Sequence, residues 1–250
     1  MIREPENQLR LDDMENGYSL YQDPSLFCFG MDAVLLGHFP KIYEGDAICD
    51  LGSGFAPIPH ILAARARDEG LHIKVTGLEI CERAVVAAGQ SVRHNHLEEV
   101  IRVDSGDLKE AVSRYGKQAF SMVITNPPYM PAGSGRAGDD PEKAAARMEL
   151  LCTLADVTAA GSDLLKENGR FVMIHRPFRL PEIFSRMRDA RLEPKRMRLI
   201  CPYAGAEPNL VLVEGVKGGR PNLVCEPPLT VYKEAGQYTE EVLKIYGKIS

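Results

Sequence analysis

The fold class is decided by one stretch of sequence, Ala47-Ile48-Cys49-Asp50-Leu51-Gly52-Ser53-Gly54-Phe55-Ala56. It has the pattern of a buried strand, a turn with two glycines and the start of a helix. Downstream, short apolar runs alternate with helical patterns, which indicates a parallel sheet covered by helices on both faces. We therefore expect an α/β fold of the Rossmann-like kind, with a ligand at the carboxyl edge of the sheet.

The same alternation predicts seven strands, at about 46–51, 73–79, 100–104, 120–125, 169–175, 195–201 and 209–216. Helices are predicted near 57–68, 81–95, 107–115, 143–166 and 179–190, with a glycine-rich, mobile loop over residues 131–142. We divide the chain into an N-terminal extension, 1–45, and one domain, 46–250. Within the extension, the apolar spacing after Asp32 predicts a short helix capped by that residue.

Composition excludes several classes of protein. A formal net charge of -5 argues against a protein that coats nucleic acid nonspecifically, although a local basic face can coexist with an acidic total. The apolar runs are too short to span a bilayer and the N-terminus lacks a signal-peptide core, so we expect a cytoplasmic protein without membrane contact. The six cysteines and six histidines are scattered without ligand spacing, which predicts no metal site.

The glycine turn differs from a dinucleotide-binding turn. Its spacing is Asp50-x-Gly-x-Gly-x-Ala, and a carboxylate at the first position would repel a pyrophosphate. That carboxylate favours a cation, and the amino group of S-adenosylmethionine fits the requirement. The alternative is a plain strand-to-helix turn, with Asp50 and Glu79 solvated at strand ends.

Further cofactor contacts are predicted at the ends of the next two strands. Glu79 ends the second strand, where an acidic side chain can accept hydrogen bonds from two ribose hydroxyls. Asp107 follows the third strand and can accept a bond from the adenine amino group, although a strand-end aspartate is also a common helix cap. The predicted cofactor contacts in this domain are Asp50, Gly52, Ser53, Gly54, Glu79, Asp107 and Asn126.

The fourth strand runs into Asn126-Pro127-Pro128-Tyr129, which we predict to be the catalytic turn. A planar nitrogen is a poor nucleophile, because its lone pair is delocalised into the adjoining π-system. The Asn126 side-chain oxygen and the Pro127 carbonyl can each accept one of its N–H bonds, which draws the lone pair out of conjugation. Pro128 stiffens the turn, and the Tyr129 ring can stack on the acceptor. Standing alone, these four residues more often form an ordinary turn.

These motifs make the chain similar to class I methyltransferases with an N-P-P-Y motif. It more closely resembles the bacterial tRNA1(Val) (adenine37-N6)-methyltransferase family, over most of its length. The likeness includes two further segments, Phe29-Gly30-Met31-Asp32-Ala33-Val34-Leu35-Leu36 and Pro227-Pro228-Leu229-Thr230-Val231-Tyr232.

The resemblance carries several implications. It implies a seven-stranded, mostly parallel sheet with a reversed last strand, S-adenosylmethionine as cofactor, and methylation of adenine N6 in tRNA. It also implies that the N-terminal extension closes over the methionine end of the cofactor through Phe29 and Asp32. The chain departs from the family at Ala56, where the third position of the loop is usually glycine.

The four residues Asn126-Pro127-Pro128-Tyr129, called the tetrad below, fit three substrates equally well: adenine in tRNA, adenine in DNA and a release-factor glutamine. RNA is favoured because the chain has no room for the helical substrate domain of glutamine enzymes and shows no added DNA-recognition domain. A segment from 170 to 198 holds nine basic and three acidic residues, and we expect RNA contacts from three of them, Arg186, Arg188 and Lys195. A salt-bridged helix face explains the charge equally well. A noncatalytic S-adenosylmethionine-binding module also remains possible, and the oligomeric state is not predicted.

Overall fold

The computed structural model describes residues 9–129 and 152–249. An antiparallel hairpin precedes the main sheet, formed by β1 (Arg10–Asp13) and β2 (Ser19–Gln22). The main sheet has nine strands: β3 (Ala47–Leu51), β4 (Lys74–Glu79), β5 (Ile101–Ser105), β6 (Phe120–Thr125), β7 (Leu165–His175), β8 (Leu192–Tyr203), β9 (Leu210–Lys217), β10 (Val224–Glu234) and β11 (Gln237–Tyr238). Its helices are α1 (Met31–His38), α2 (Pro57–Glu69), α3 (Glu82–His94), α4 (Ala111–Tyr115), α5 (Leu154–Leu164), α6 (Leu180–Asp189) and α7 (Glu240–Ile245).

The order of strands confirms the predicted fold class. It runs β11-β10-β8-β9-β7-β6-β3-β4-β5, and β9 is antiparallel to both β7 and β8, as a reversed last strand requires. The other predicted strands all run in one direction: β3 to β7 pair in parallel with one another, and β8 runs the same way because it is antiparallel to β9, as β7 is. Their carboxyl ends therefore meet at one edge of the sheet, which we call the carboxyl edge.

Two strands, β10 and β11, exceed the seven that were predicted. Most side chains of β10 are exposed, so its apolar alternation is weak. It also contains Pro227 and Pro228, which lie where the pairing with β8 shifts register between Glu226 and Leu229. Proline cannot donate a ladder hydrogen bond and is tolerated at such a bulge, so the prolines interrupt the strand pattern without ending the strand.

Two hydrophobic clusters cover the two faces of the sheet. Along β3, Ile48 packs into the cluster that includes α1, α2 and α7, whereas Cys49 and Leu51 pack into the cluster that includes α4, α5 and α6. This alternation is the period of a strand buried on both faces. Within the described ranges, no helix is long and apolar enough to cross a membrane.

The N-terminal extension packs directly on the domain. The backbone amides of Ser19 and Tyr21 in β2 donate to the side chains of Asn95 and Ser91 at 3.0 and 2.8 Å, which fastens the hairpin to α3. The helix α1 begins at Met31, one residue before the predicted start. Its N-cap residue is Gly30 and Asp32 lies in its first turn, so the prediction that Asp32 caps this helix is wrong.

The predicted loop 131–142 lies outside the described residues, and so does the first part of the helix predicted at 143–166. The remainder of that helix is α5. It begins after Thr153, whose side chain accepts from the Asp156 amide while the Asp156 carboxylate accepts from Thr153. This reciprocal capping box explains why the helix begins at Leu154.

Candidate active site

The glycine turn lies at the carboxyl edge, between β3 and α2. Gly52 and Gly54 have φ angles of +76° and +53°, in the left-handed region that glycine adopts without steric cost. The amides of Gly52 and Ser53 both donate to the Leu78 carbonyl at the end of β4, at 2.9 and 3.1 Å. The turn is therefore held by the neighbouring strand.

Glu79 fixes the far side of this turn. Its side chain is buried, with Oε2 accepting from the Gly54 amide and Oε1 from the Cys81 amide, each at 2.8 Å. The alternative in which Asp50 and Glu79 are solvated at strand ends is wrong, because Asp50 is fully buried as well. Each Glu79 oxygen keeps accepting capacity beyond its backbone bond.

Asp50 and Ser53 are buried without partners. Neither carboxylate oxygen of Asp50, nor the Ser53 hydroxyl, has a hydrogen-bond partner among the described residues. Burial, reinforced by the charge of Glu79, raises the pKa of Asp50 well above its usual value. A buried carboxyl without a donor is costly, so this position suits a ligand that brings N–H groups or positive charge.

A cleft opens beside the turn at the carboxyl edge. Its volume is about 550 Å³ when the space open to solvent at its mouth is counted. Among the predicted site residues, the cleft is lined by Gly52, Glu79, Asp107, Asn126, Pro127 and Pro128. The Asp107 Oδ1 atom accepts from the Lys109 amide at 2.9 Å, so this residue caps the turn that follows β5 as well as lining the cleft.

The catalytic turn follows β6 and is tied to the glycine turn. The Thr125 hydroxyl donates to the Leu51 carbonyl at 2.8 Å, which joins the last residues of β6 and β3. Asn126 is half-buried, and its Nδ2 atom donates to Asp32 Oδ2 at 3.1 Å. This bond fixes the orientation of the amide, with the Oδ1 atom as its accepting end.

Tyr129 completes a triangle with Asp32 and Asn126. Its hydroxyl lies 2.7 Å from Asp32 Oδ2 and 2.8 Å from Asn126 Oδ1, in donating geometry to both. A phenol has one proton, so it donates to one of these acceptors at a time. Burial and the nearby Asp32 carboxylate raise the pKa of Tyr129, which keeps the hydroxyl protonated.

The carboxyl end of β7 packs against the Tyr129 ring. The Arg176 guanidinium lies 4.9 Å from the ring centroid, and the His175 ring meets it edge-on at 5.4 Å. Burial, with the charge of Arg179, lowers the pKa of His175 to about 4, so its imidazole is neutral near pH 7. Among the residues that the structure describes, Arg176 is therefore the charged group that contacts the Tyr129 ring on this side.

Phe29 does not line this cleft. Its amide donates to the Gln22 side chain at 2.9 Å, and its ring packs on the core cluster of α1 and α2. It contributes instead to a second cavity between the hairpin, α1 and α7. Of the two N-terminal residues predicted to contact the cofactor, only Asp32 reaches the catalytic turn.

The predicted RNA contacts lie away from the tetrad. Arg186 is close to the end of α6, which starts at the carboxyl edge and runs back, and Lys195 is near the start of β8. Arg186 and Arg188 form ion pairs with Asp189 and Glu193, and Lys195 donates to a backbone carbonyl. The topology thus places all three toward the edge opposite the cleft.

One known protein family matches the part of the sequence that holds this site. The methyltransferase small domain matches residues 18–182, from the N-terminal hairpin to the start of α6. The chain belongs to that family. Within the described ranges, no three His, Cys, Asp or Glu side chains come together as metal ligands would.

Relatives within this methyltransferase family agree with the resemblance drawn from the sequence. A tRNA1(Val) (adenine(37)-N6)-methyltransferase of Aeromonas salmonicida is 24% identical over 216 residues, covering 86% of this chain and 87% of the relative. One of the same name from Porphyromonas gingivalis is 27% identical over 231 residues, covering 86% of each. The crystal structure of a predicted O-methyltransferase of Agrobacterium tumefaciens matches with a TM-score of 0.69 at 24% identity, covering 87% of this chain and 96% of that one, and confirms the fold.

Two features of this methyltransferase site were missed by sequence reasoning. The bond from Asn126 to Asp32 was missed because no sequence pattern links residues so far apart in the chain. Arg176 was counted only as one of nine basic residues. It directly follows the predicted strand 169–175, and that position was the available signal, because strand ends at the carboxyl edge surround the site.

Proposed function

We propose that this chain transfers a methyl group from S-adenosylmethionine to the exocyclic N6 of an adenine in tRNA, at adenine 37 of a valine tRNA. The observation that carries the proposal is the bond from Asn126 to Asp32. It fixes which end of this half-buried asparagine amide can accept a hydrogen bond, beside the cleft at the carboxyl edge. The names of the relatives support this reaction, and we infer that it takes place in the cytoplasm.

The buried polar groups of the glycine turn fit the cofactor. S-adenosylmethionine, when bound, supplies an electrophilic methyl group on a sulfonium. The unpartnered Asp50 carboxyl suits its amino group, and the fixed Glu79 carboxylate suits its ribose hydroxyls. Gly52, Ser53 and Gly54 let the backbone approach closely, while Asp107 stands at the cleft wall for the adenine.

The catalytic turn prepares the acceptor nitrogen. The Asn126 Oδ1 atom and the Pro127 carbonyl each accept one N–H bond from the amino group, which favours its tetrahedral form. In the free protein the Tyr129 hydroxyl donates to the same Oδ1 atom, so the acceptor amine takes over this bond. No general base is needed before transfer, since the surplus proton leaves the nitrogen afterwards.

The N-terminal extension belongs to the site in this proposal. Asp32, from α1, orients Asn126, and the hairpin holds the extension against α3. This supports the view that residues 1–45 close over the methionine end of the cofactor, with Asp32 rather than Phe29 as the residue that reaches the reacting groups.

Methyl incorporation tests the proposal. The purified chain is incubated with labelled S-adenosylmethionine and, separately, with unmodified valine tRNA transcript, a release factor and duplex DNA. We expect label in N6-methyladenine of the tRNA, and a loss of about 10²–10³-fold in kcat for Asn126→Ala. Asn222→Ala, at an exposed asparagine between β9 and β10, is the matched control and should retain activity.

Other outcomes overturn the proposal in distinct ways. Label only in the release factor would indicate glutamine methylation, and label only in duplex DNA a DNA-modifying enzyme. Calorimetric heat with the cofactor, but no label in any acceptor, would indicate a noncatalytic binding module.

A further inference from the structure

We propose that Arg176 binds an RNA phosphate next to the acceptor nucleotide, and that Phe178 supplies a stacking surface beside it. This inference rests on the proposed function, because it assigns the RNA contacts of the same site. It replaces Arg186, Arg188 and Lys195, which the fold places toward the opposite edge of the sheet.

Ion pairing within the basic segment 170–198 singles out Arg176. Seven of its nine basic residues have a carboxylate partner: Arg170, Arg179, Arg186, Arg188, Arg191, Arg196 and Arg198. Lys195 and Arg176 have none in the part of the chain that the structure describes. The positive charge inferred from sequence is therefore largely neutralised inside the protein, and Arg176 is the unneutralised guanidinium beside the tetrad.

The position of Arg176 is held by its neighbours. It follows the last residue of β7, and its amide donates to His175 Nδ1 at 2.8 Å. Its Nη1 atom donates to the Asn209 carbonyl at 3.0 Å, while the guanidinium lies against the Tyr129 ring. These contacts leave N–H donors available, and a phosphate is the ligand that guanidinium geometry matches best.

His175 adds no competing charge at neutral pH, because its buried imidazole is neutral. The Asp32 carboxylate, on the other side of Tyr129, is already engaged by Asn126 and the Tyr129 hydroxyl. Within the described ranges, a phosphate would therefore meet one cation without a carboxylate partner at this side of the tetrad.

Phe178 lies two residues further on, in the 3-10 turn Pro177–Arg179, and is 65% exposed. The turn is anchored from within, since Arg179 is buried and pairs with Glu182 at 2.8 Å. One exposed aromatic side chain is ordinary on a protein surface. It lies two residues from a guanidinium that has no carboxylate partner among the described residues, and single-stranded RNA sites combine a cation with such a stacking surface.

Binding of valine tRNA transcript, measured at several salt concentrations, tests the inference. We expect Arg176→Ala to weaken tRNA binding about tenfold and to reduce the magnitude of the slope of log K against log salt by about 0.7, the value for one phosphate. Arg176→Lys should restore most of that slope. Phe178→Ala should weaken tRNA binding about fivefold without changing the salt slope. Arg186→Ala, at the opposite edge, is the matched control and should equal the wild type.

Affinity for S-adenosylmethionine, measured by calorimetry, is the check on folding and should be unchanged in all four variants. If Arg176→Ala keeps the wild-type tRNA affinity and salt slope, or if Arg186→Ala changes them as much, the inference is overturned. The proposed function fails separately, when the wild-type chain binds tRNA but places no methyl group on it.

Discussion

The Asp32 carboxylate accepts a hydrogen bond from the side-chain amide of Asn126, 94 residues away in the chain. An asparagine amide has a donating and an accepting end, whereas an ionised carboxylate can accept hydrogen bonds but cannot donate them. The bond therefore determines which end of Asn126 faces the acceptor. The first helix of the protein thus contributes to the catalytic turn without being part of the main sheet.

We expect Asp32→Asn to lower kcat by about 10–100-fold. The charged hydrogen bond is lost, and an amide at position 32 can bind Asn126 in either orientation. Steady-state methylation of tRNA measures the effect. The calorimetric Kd for S-adenosylmethionine should change by no more than about threefold. Asp68→Asn, at an exposed carboxylate on α2, is the control.

The opposite pattern would contradict a positioning role for Asp32. If Asp32→Asn raises the cofactor Kd and leaves kcat unchanged at saturation, then Asp32 contacts the cofactor itself, as the family resemblance implies.

The ring and the hydroxyl of Tyr129 should contribute differently. Tyr129→Phe keeps the ring against Arg176 and removes the group that occupies Asn126 Oδ1 in the free protein, so we expect kcat within about threefold of the wild type. Tyr129→Ala removes the stacking surface and should lower kcat/KM for tRNA about 10–100-fold. Equal losses in both variants would show that the hydroxyl, rather than the ring, is the functional group.

Gly77 should be essential for the glycine turn, although it lies in β4. A Cβ atom at this position would lie 2.6 Å from Ser53 Oγ and 2.9 Å from Ser53 Cβ. We expect Gly77→Ala to displace Ser53 and weaken S-adenosylmethionine binding by about tenfold. The double variant Gly77→Ala, Ser53→Gly removes the collision and should recover affinity, and calorimetry would refute the idea if it did not.

Acid should destabilise the protein through two buried histidines. Burial lowers the pKa of both His60 and His175 from 6.5 to about 4, so the folded state binds fewer protons than the unfolded chain between those values. The free energy of unfolding therefore decreases as pH falls from 6.5 toward 4, by on the order of 2–3 kcal/mol per histidine. Asp50, whose pKa is raised, contributes with the opposite sign above pH 3.8.

Because the contributions of the histidines and Asp50 oppose each other, the test compares the pH dependence of the wild type with that of a variant without the two histidines. Urea unfolding at several pH values should show a shallower decrease for the double variant His60→Asn, His175→Asn than for the wild type. Parallel pH profiles would mean that these histidines do not carry the acid sensitivity.

The fold was predictable because its strands carry their own signals. The apolar runs of β3 and β6 are buried on both faces, so their composition alone marks them as central strands. The hairpin and β10 were not predicted, since their side chains are mostly exposed or half-buried and two prolines interrupt β10. Edge strands stabilised by pairing, rather than by burial, leave little trace in hydropathy.

The site was predictable where a residue type determines the chemistry, as at Asn126 and Glu79. Ala56 shows the limit of such reasoning. It adopts φ +63°, in the left-handed region, and is fully buried ahead of α2. The turn therefore keeps its glycine-like conformation with an alanine in place, because surrounding packing offsets a backbone cost of about 1 kcal/mol.

The ion pairing of the basic segment has a consequence for how fast this protein meets its substrate. With seven of the eight arginines of segment 170–198 paired to carboxylates and a net charge of -5, the chain offers a polyanion little long-range attraction. Encounter then proceeds at the rate set by diffusion and orientation, about 10⁵–10⁷ M⁻¹s⁻¹, rather than at a steered rate. In the proposed reaction, discrimination among tRNAs then falls to dissociation, so a wrong tRNA is rejected by leaving quickly rather than by arriving slowly.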